Sequence, residues 1–162
     1  MPHSLVTPAL AVALLAAVAG YAAAAQTRTQ TLRLISTPTS QSVTDLAPRT
    51  AAQGRLTKGD TIRGTSSLAN AVRQLGKAKG ARVGSDGFVI TVGTPPNARI
   101  TVHVTLPGGT LSATGVFDVA TNVAQSIRII GGTGAFKGAR GTASSSGLSD
   151  GRSLNVYILQ LP

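Results

Sequence analysis

The 162-residue chain contains no cysteine, no glutamate and no tryptophan, and aromatic residues make up only 3% of it. Without thiols there are no disulfides, cysteine nucleophiles, thiolate metal sites or redox motifs, so any fold must stand on its apolar core alone. Without glutamate, the side-chain carboxylates are Asp45, Asp60, Asp86, Asp118 and Asp150, set against 15 lysines and arginines for a formal net charge of +10. With His3 and His103 as its two histidines, the chain offers no short-range set of three or four zinc ligands, and no metal site is expected. His103 has no carboxylate near it in sequence and reads as a surface or hydrogen-bonded structural histidine. Beyond residue 25 the aromatics are Phe88, Phe117, Phe136 and Tyr157. That is too few for the interleaved basic and stacking residues of single-strand binders, so no specific nucleic-acid partner is expected.

Apolar sequence is concentrated near the N-terminus. Leu10–Ala19 is an unbroken apolar run, and Ala23-Ala24-Ala25 offers a small-x-small cleavage pattern. Residues 1–25 therefore read as a signal peptide, with Gln26 as the new N-terminus of a secreted protein and residues 26–162 as one domain. A retained anchor is the weaker reading, since alanine is a poor membrane residue and no basic stop-transfer cluster follows. No stable membrane insertion is expected once the leader is removed.

The remainder reads as short strands separated by turn signals. Ile100, Val102, Val104 and Leu106 alternate with Thr101, His103 and Thr105, the period of a half-buried strand. Further strands are expected at Leu32–Ile35, Thr61–Leu68, Phe88–Val92, Thr110–Phe117, Ile127–Ile130, Gly138–Ser145 and Leu154–Leu159. Ser36–Lys58 shows little periodicity and reads as a long irregular connection, and Ala69–Leu75 could hold one helical turn. Turn signals recurring about every ten residues, with no amphipathic helix between them, predict an all-β barrel or sandwich. Arg73, Lys77, Lys79 and Arg82 crowd the glycine-punctuated segment Val72–Val83. They read either as a solvated loop or as contacts for an acidic polymer.

The most specific motif is Ile129–Gly141, IIGGTGAFKGARG. Its glycine spacing fits neither a phosphate loop nor a dinucleotide turn, and no cofactor is expected. Gly131, Gly132, Thr133 and Gly134 read instead as a tight reversal, where glycine serves either positive φ or close backbone approach. Arg140, beside that turn, is either a ligand contact at a barrel mouth or a tie to backbone carbonyls. Asp86, Asp118 and Asp150 sit beside expected turns.

GGTGAFKGARG closely resembles the GGTG-x-(Tyr/Phe)-x-x-ARG signature of the dirigent and allene oxide cyclase-like barrels. Gly59-Asp60, Ser67–Asn70, Val83–Phe88 and Leu106–Leu111 follow in that family's order, so the resemblance spans roughly Leu32 to Leu161. It implies a single eight-stranded antiparallel barrel, a homodimer or homotrimer, and a small apolar or phenolic ligand. It places Arg140, Phe136 and Asp86 as ligand-pocket candidates. The family's catalytic groups do not carry over. Ala135 stands where dirigent proteins have an acid after GGTG, and Ile35 and Ser36 stand where they have an aspartate near the first strand. The glutamate and cysteine of plant allene oxide cyclases are absent. Three readings follow: a barrel that orients a ligand or reactive intermediate, an isomerase or cyclase acting by confinement, and a noncatalytic surface protein that binds acidic polymer.

Overall fold

The structure is a computed structural model that describes residues 27–46, 49, 51, 55–118 and 125–162. The expected leader, with its cut before Gln26, lies outside the described residues. Eight antiparallel strands follow one another in chain order: β1 Arg28–Thr44, β2 Thr61–Asn70, β3 Arg82–Val92, β4 Asn97–Leu106, β5 Gly109–Asp118, β6 Gln125–Gly132, β7 Arg140–Gly147 and β8 Ser153–Leu161. β8 pairs back onto β1, from Arg28↔Leu161 to Ser36↔Ser153, so the sheet closes into a barrel. Closure satisfies the edges that an open sheet would leave free.

Alternation decides what fills the barrel. On β4, Ala98, Val104 and Leu106 are buried and Arg99, His103 and Thr105 are exposed, as the period-2 pattern predicts. One half of the interior is packed solid by Leu32, Leu34, Leu68, Val104, Leu106, Leu111, Ile129 and Leu159. This half is sealed by Phe136, which a short 3-10 turn over Gly134–Phe136 inserts into the core from the β6–β7 connection. We call this the closed end. The β2–β3, β4–β5 and β6–β7 connections lie there, and the other connections lie at the open end.

Two expectations about the elements are corrected. Residues 36–44 are not irregular but continue β1, paired with β2 as far as Thr44↔Thr61. Thr39–Thr44 is exposed throughout, so there is no buried face to impose an apolar period. Hydroxyl contacts hold this stretch instead, with Thr39 Oγ1 and Ser40 Oγ lying 2.8 and 2.7 Å from Thr65 Oγ1. Residues 69–75 form no helical turn. They open a hairpin in which Gln74 and Lys77 exchange backbone hydrogen bonds of 2.9 and 3.1 Å.

Candidate ligand cavity

The open half of the barrel is not filled. A cavity of about 380 Å3 occupies it, walled by Phe88, Ile90, Ile100, Val102, Phe117 and Ile127. The space arises by subtraction. Ala113 and Ala143 contribute only methyl groups at the level where the closed half presents leucines, and both line the cavity. Gly64 acts similarly on the wall: a Cβ there would collide with the Phe88 ring, so the bare glycine lets that ring lie flat across β2.

The floor is polar and comes from three strands. Ser36 of β1, Asp86 of β3, and Asn155 and Tyr157 of β8 all line the cavity. Asp86 is 7% exposed and accepts a hydrogen bond of 3.4 Å from Ser36 Oγ at its Oδ2. Ser66, opposite it in register on β2, gives the carboxylate a second hydrogen bond. Burial nevertheless holds the Asp86 carboxyl above its ordinary range, and the Ser66 and Ser36 hydroxyls only partly offset it. Burial likewise raises the Tyr157 phenol; the nearby Asp86 charge adds to this and a hydrogen bond with the Asn155 side chain opposes it. Tyr157 thus stays a neutral O–H at any physiological pH. Among the described residues, Asp86 Oδ1 and Asn155 Oδ1 are buried without a hydrogen-bond partner. Both residues line the apolar cavity, and their unpartnered acceptors would receive a ligand's donor group that reaches them.

No lysine, arginine or histidine lines this space. At the rim, Gln125 bridges β5 and β6 by accepting from Asp118 N and donating to Asp118 O, each at 2.8 Å. Among the described residues no group of three His, Cys, Asp or Glu stands close enough to hold a metal ion.

Of the three pocket candidates, the cavity receives only Asp86. It lies within β3 rather than at the expected turn, and β3 begins at Arg82 rather than Phe88. Arg140 starts β7 at the closed end and points outward. Its Nη1 donates to Ile130 O and Ala139 O at 2.8 Å each, so it ties the hairpin to backbone carbonyls and does not enter the cavity. Phe136 is 2% exposed in the packed half, also outside the cavity. The GGTG segment builds the plug: Thr133 Oγ1 accepts from Thr110 N at 3.1 Å, and Gly134, at φ +57°, fits against Gly108 O of the β4–β5 turn. Gly132 is not in the left-handed region; of the two reasons for glycine there, close approach holds, because Thr110 and Phe136 crowd it. Arg73, Lys77, Lys79 and Arg82 are exposed at the closed end, away from the mouth. His103 is exposed on the outer face, with Nδ1 3.1 Å from Ser112 Oγ.

Sequence reasoning named neither Ser36, Asn155 and Tyr157 nor the apolar wall. Strand parity carried the signal. Once Leu159 and Leu161 are taken as inward, Ser153, Asn155 and Tyr157 must share their face.

No protein-family model matches the sequence, and no curated protein matches it. Solved structures do resemble it in fold. Pyocyanin demethylase superposes with a TM-score of 0.66 at 20% identity, covering 80% of this chain and 99% of that one. The pterocarpan synthase dirigent protein GePTS1 gives 0.61 at 17% identity, covering 84% and 90%. The Diels Alderase AbmU from Streptomyces koyangensis gives 0.59 at 14% identity, covering 87% and 72%. The chain thus has the closed eight-stranded fold of the dirigent and cyclase-like barrels.

Proposed function

We propose that the protein is exported and that its barrel binds and orients a small, mainly apolar or phenolic molecule whose polar group reaches Asp86. The observation that carries this reading is the pair of unpartnered acceptors, Asp86 Oδ1 and Asn155 Oδ1, on the floor of an apolar cavity of about 380 Å3. A phenolic O–H or an N–H satisfies them, while Tyr157 can donate in return. A carboxylate ligand would be buried beside Asp86 with no cation to receive it, at a cost that apolar walls do not offset. Export is supported by Leu10–Ala19 followed by Ala23-Ala24-Ala25. The neighbours' names, a demethylase, a pterocarpan synthase and a Diels Alderase, each denote chemistry on a small molecule and support the same use of this barrel.

One observation favours a second reading, an isomerase or cyclase. A carboxyl raised towards neutrality beside an open cavity is suited to give and take a proton in the same turnover. Ser36 stands where the resembling family's first-strand aspartate is expected, and Asp86 lies in hydrogen-bond contact with it, so the acid sits two strands along, on the same floor. Walls of Ile90, Ile100, Val102 and Ile127 would confine a flexible apolar chain around that group.

Extraction of the secreted protein followed by mass spectrometry tests the binding reading. A neutral or cationic, mainly apolar molecule should be released, and Ile100→Trp, which fills the cavity, should abolish its retention. Asp86→Asn should weaken rebinding by about ten- to hundredfold, the loss of one hydrogen bond to a charged group. Retention of a carboxylate ligand, or equal retention by Ile100→Trp, would overturn it. N-terminal sequencing tests export, and an intact Met1 found in the membrane fraction would refute cleavage.

A further inference from the structure

The carboxylates of this protein are confined to the interior and the open end of the barrel, and the sequence alone does not show it. Asp45 and Asp60 flank the β1–β2 connection, Asp118 ends β5 and Asp150 lies in the β7–β8 turn, all at the open end; Asp86 is inside. No carboxylate side chain is left at the closed end. Arg73, Lys77, Lys79 and Arg82 project there from the β2–β3 hairpin, and all four are exposed. Arg28 at the start of β1 and Lys137 and Arg140 around the β6–β7 plug complete the set.

The β2–β3 hairpin is a built platform rather than a loose loop. The buried Asn70 amide donates to Gln74 O at 2.7 Å, Lys77 O at 3.1 Å and Ala78 O at 3.3 Å. Gln74 then docks against β1, donating to Arg33 O at 2.6 Å and accepting from Arg33 N at 3.2 Å. Val72, 44% exposed, protrudes among these cations.

From this arrangement we propose that the closed end docks on the surface of an anionic phospholipid bilayer, leaving the cavity mouth facing away from it. Two features fit a bilayer better than a dissolved polymer. The cations come from three separate places around one barrel rim, which a plane of charge meets together and a single extended chain does not. An exposed valine among them suits the apolar boundary below the headgroups.

The test is co-sedimentation at low salt with vesicles of phosphatidylglycerol and phosphatidylcholine in equal parts, and with phosphatidylcholine alone. The protein should bind the mixed vesicles and not the neutral ones, and binding should fall steeply with salt. Combined Arg73→Gln, Lys77→Gln, Lys79→Gln and Arg82→Gln should reduce partitioning several hundred-fold, at about fivefold per cation near the surface. The equal-charge control Lys58→Gln, Arg63→Gln, Arg99→Gln and Arg128→Gln, on the open end and side wall, should reduce it less than about tenfold, a weak through-solution effect. Unchanged melting of both variants would confirm that folding is intact. Equal losses from the two sets, equal binding to neutral vesicles, or binding to soluble polyphosphate without binding to vesicles would each overturn the proposal.

Discussion

Replacing Gly132 by alanine, with Gly131→Ala as its partner experiment, tests whether the GGTG segment is glycine-rich for backbone freedom or for contact. Neither residue has a left-handed backbone. A Cβ at Gly132 would stand 2.5 Å from Thr110 O, 2.6 Å from Phe136 O and 2.9 Å from Phe136 Cβ. The first two are backbone atoms and cannot rotate away. A Cβ at Gly131 meets nothing nearer than Arg140 Nη1 at 3.9 Å, the end of a flexible side chain. Relieving the Gly132 clash means shifting β5 or withdrawing the Phe136 plug. Overpacking of this kind costs about 1–3 kcal/mol, and partial loss of Phe136 packing adds to it. We expect Gly132→Ala to lose about 3 kcal/mol, a fall in Tm of roughly 10 °C for a domain of this size. Gly131→Ala should stay within about 0.5 kcal/mol of the parent. Thermal melts followed by circular dichroism compare the two. If both substitutions cost the same, close approach is not what selects glycine here.

Asp86→Asn should raise the melting temperature near pH 7. Folding raises the Asp86 pKa, so the stability tied to its neutral form is present below the ordinary carboxylate value of 3.8 and is lost as pH rises through the raised value. The advantage of asparagine should therefore vanish in acid, and a difference constant with pH would refute the assignment. Arg140→Leu should cost about 0.5–1.5 kcal/mol, the worth of its carbonyl hydrogen bonds, and leave ligand affinity unchanged; a tenfold loss of affinity would place its guanidinium at the ligand after all. Asn70→Ala should cost about 2–3 kcal/mol by stripping buried carbonyls of their donor, with increased protease cleavage within residues 71–81 as the local readout. Gly64→Ala should push the Phe88 ring into the cavity and shrink the largest ligand retained, with little change in melting if the ring alone moves.

The barrel was legible because burial writes a period into sequence. Ile100–Leu106 alternates because one side of β4 faces the interior, and the turn residues between strands set the count. Where a strand has no buried side the signal disappears, and Thr37–Thr44 reads as a linker although it pairs with β2 on either side of a bulge at Thr39. The basic segment was legible as charge but not as structure. Its rigidity rests on one buried amide, Asn70, whose bonds reach residues up to eight positions away.

The candidate site was harder to read, for a reason specific to cavities. Arg140 draws attention because it is charged and lies in the most conspicuous motif, yet Gly141 pairs with the buried Ile129 and faces inward, which turns Arg140 to the outside. Its motif serves the opposite end of the barrel from the mouth. Gly131 to Phe136 form the stopper that closes one end, and a closed end is what makes the other half a cup rather than a channel. The cup is made of what is missing: methyl groups at Ala113 and Ala143 where leucines fill the far half, and a bare Gly64 beneath Phe88. Asp86 becomes a candidate reactive group only because that subtraction leaves it lining the cavity with one oxygen unpartnered. The same carboxylate beneath a leucine would be an expensive burial, and the physics that makes it costly to the fold is what makes it available to a ligand.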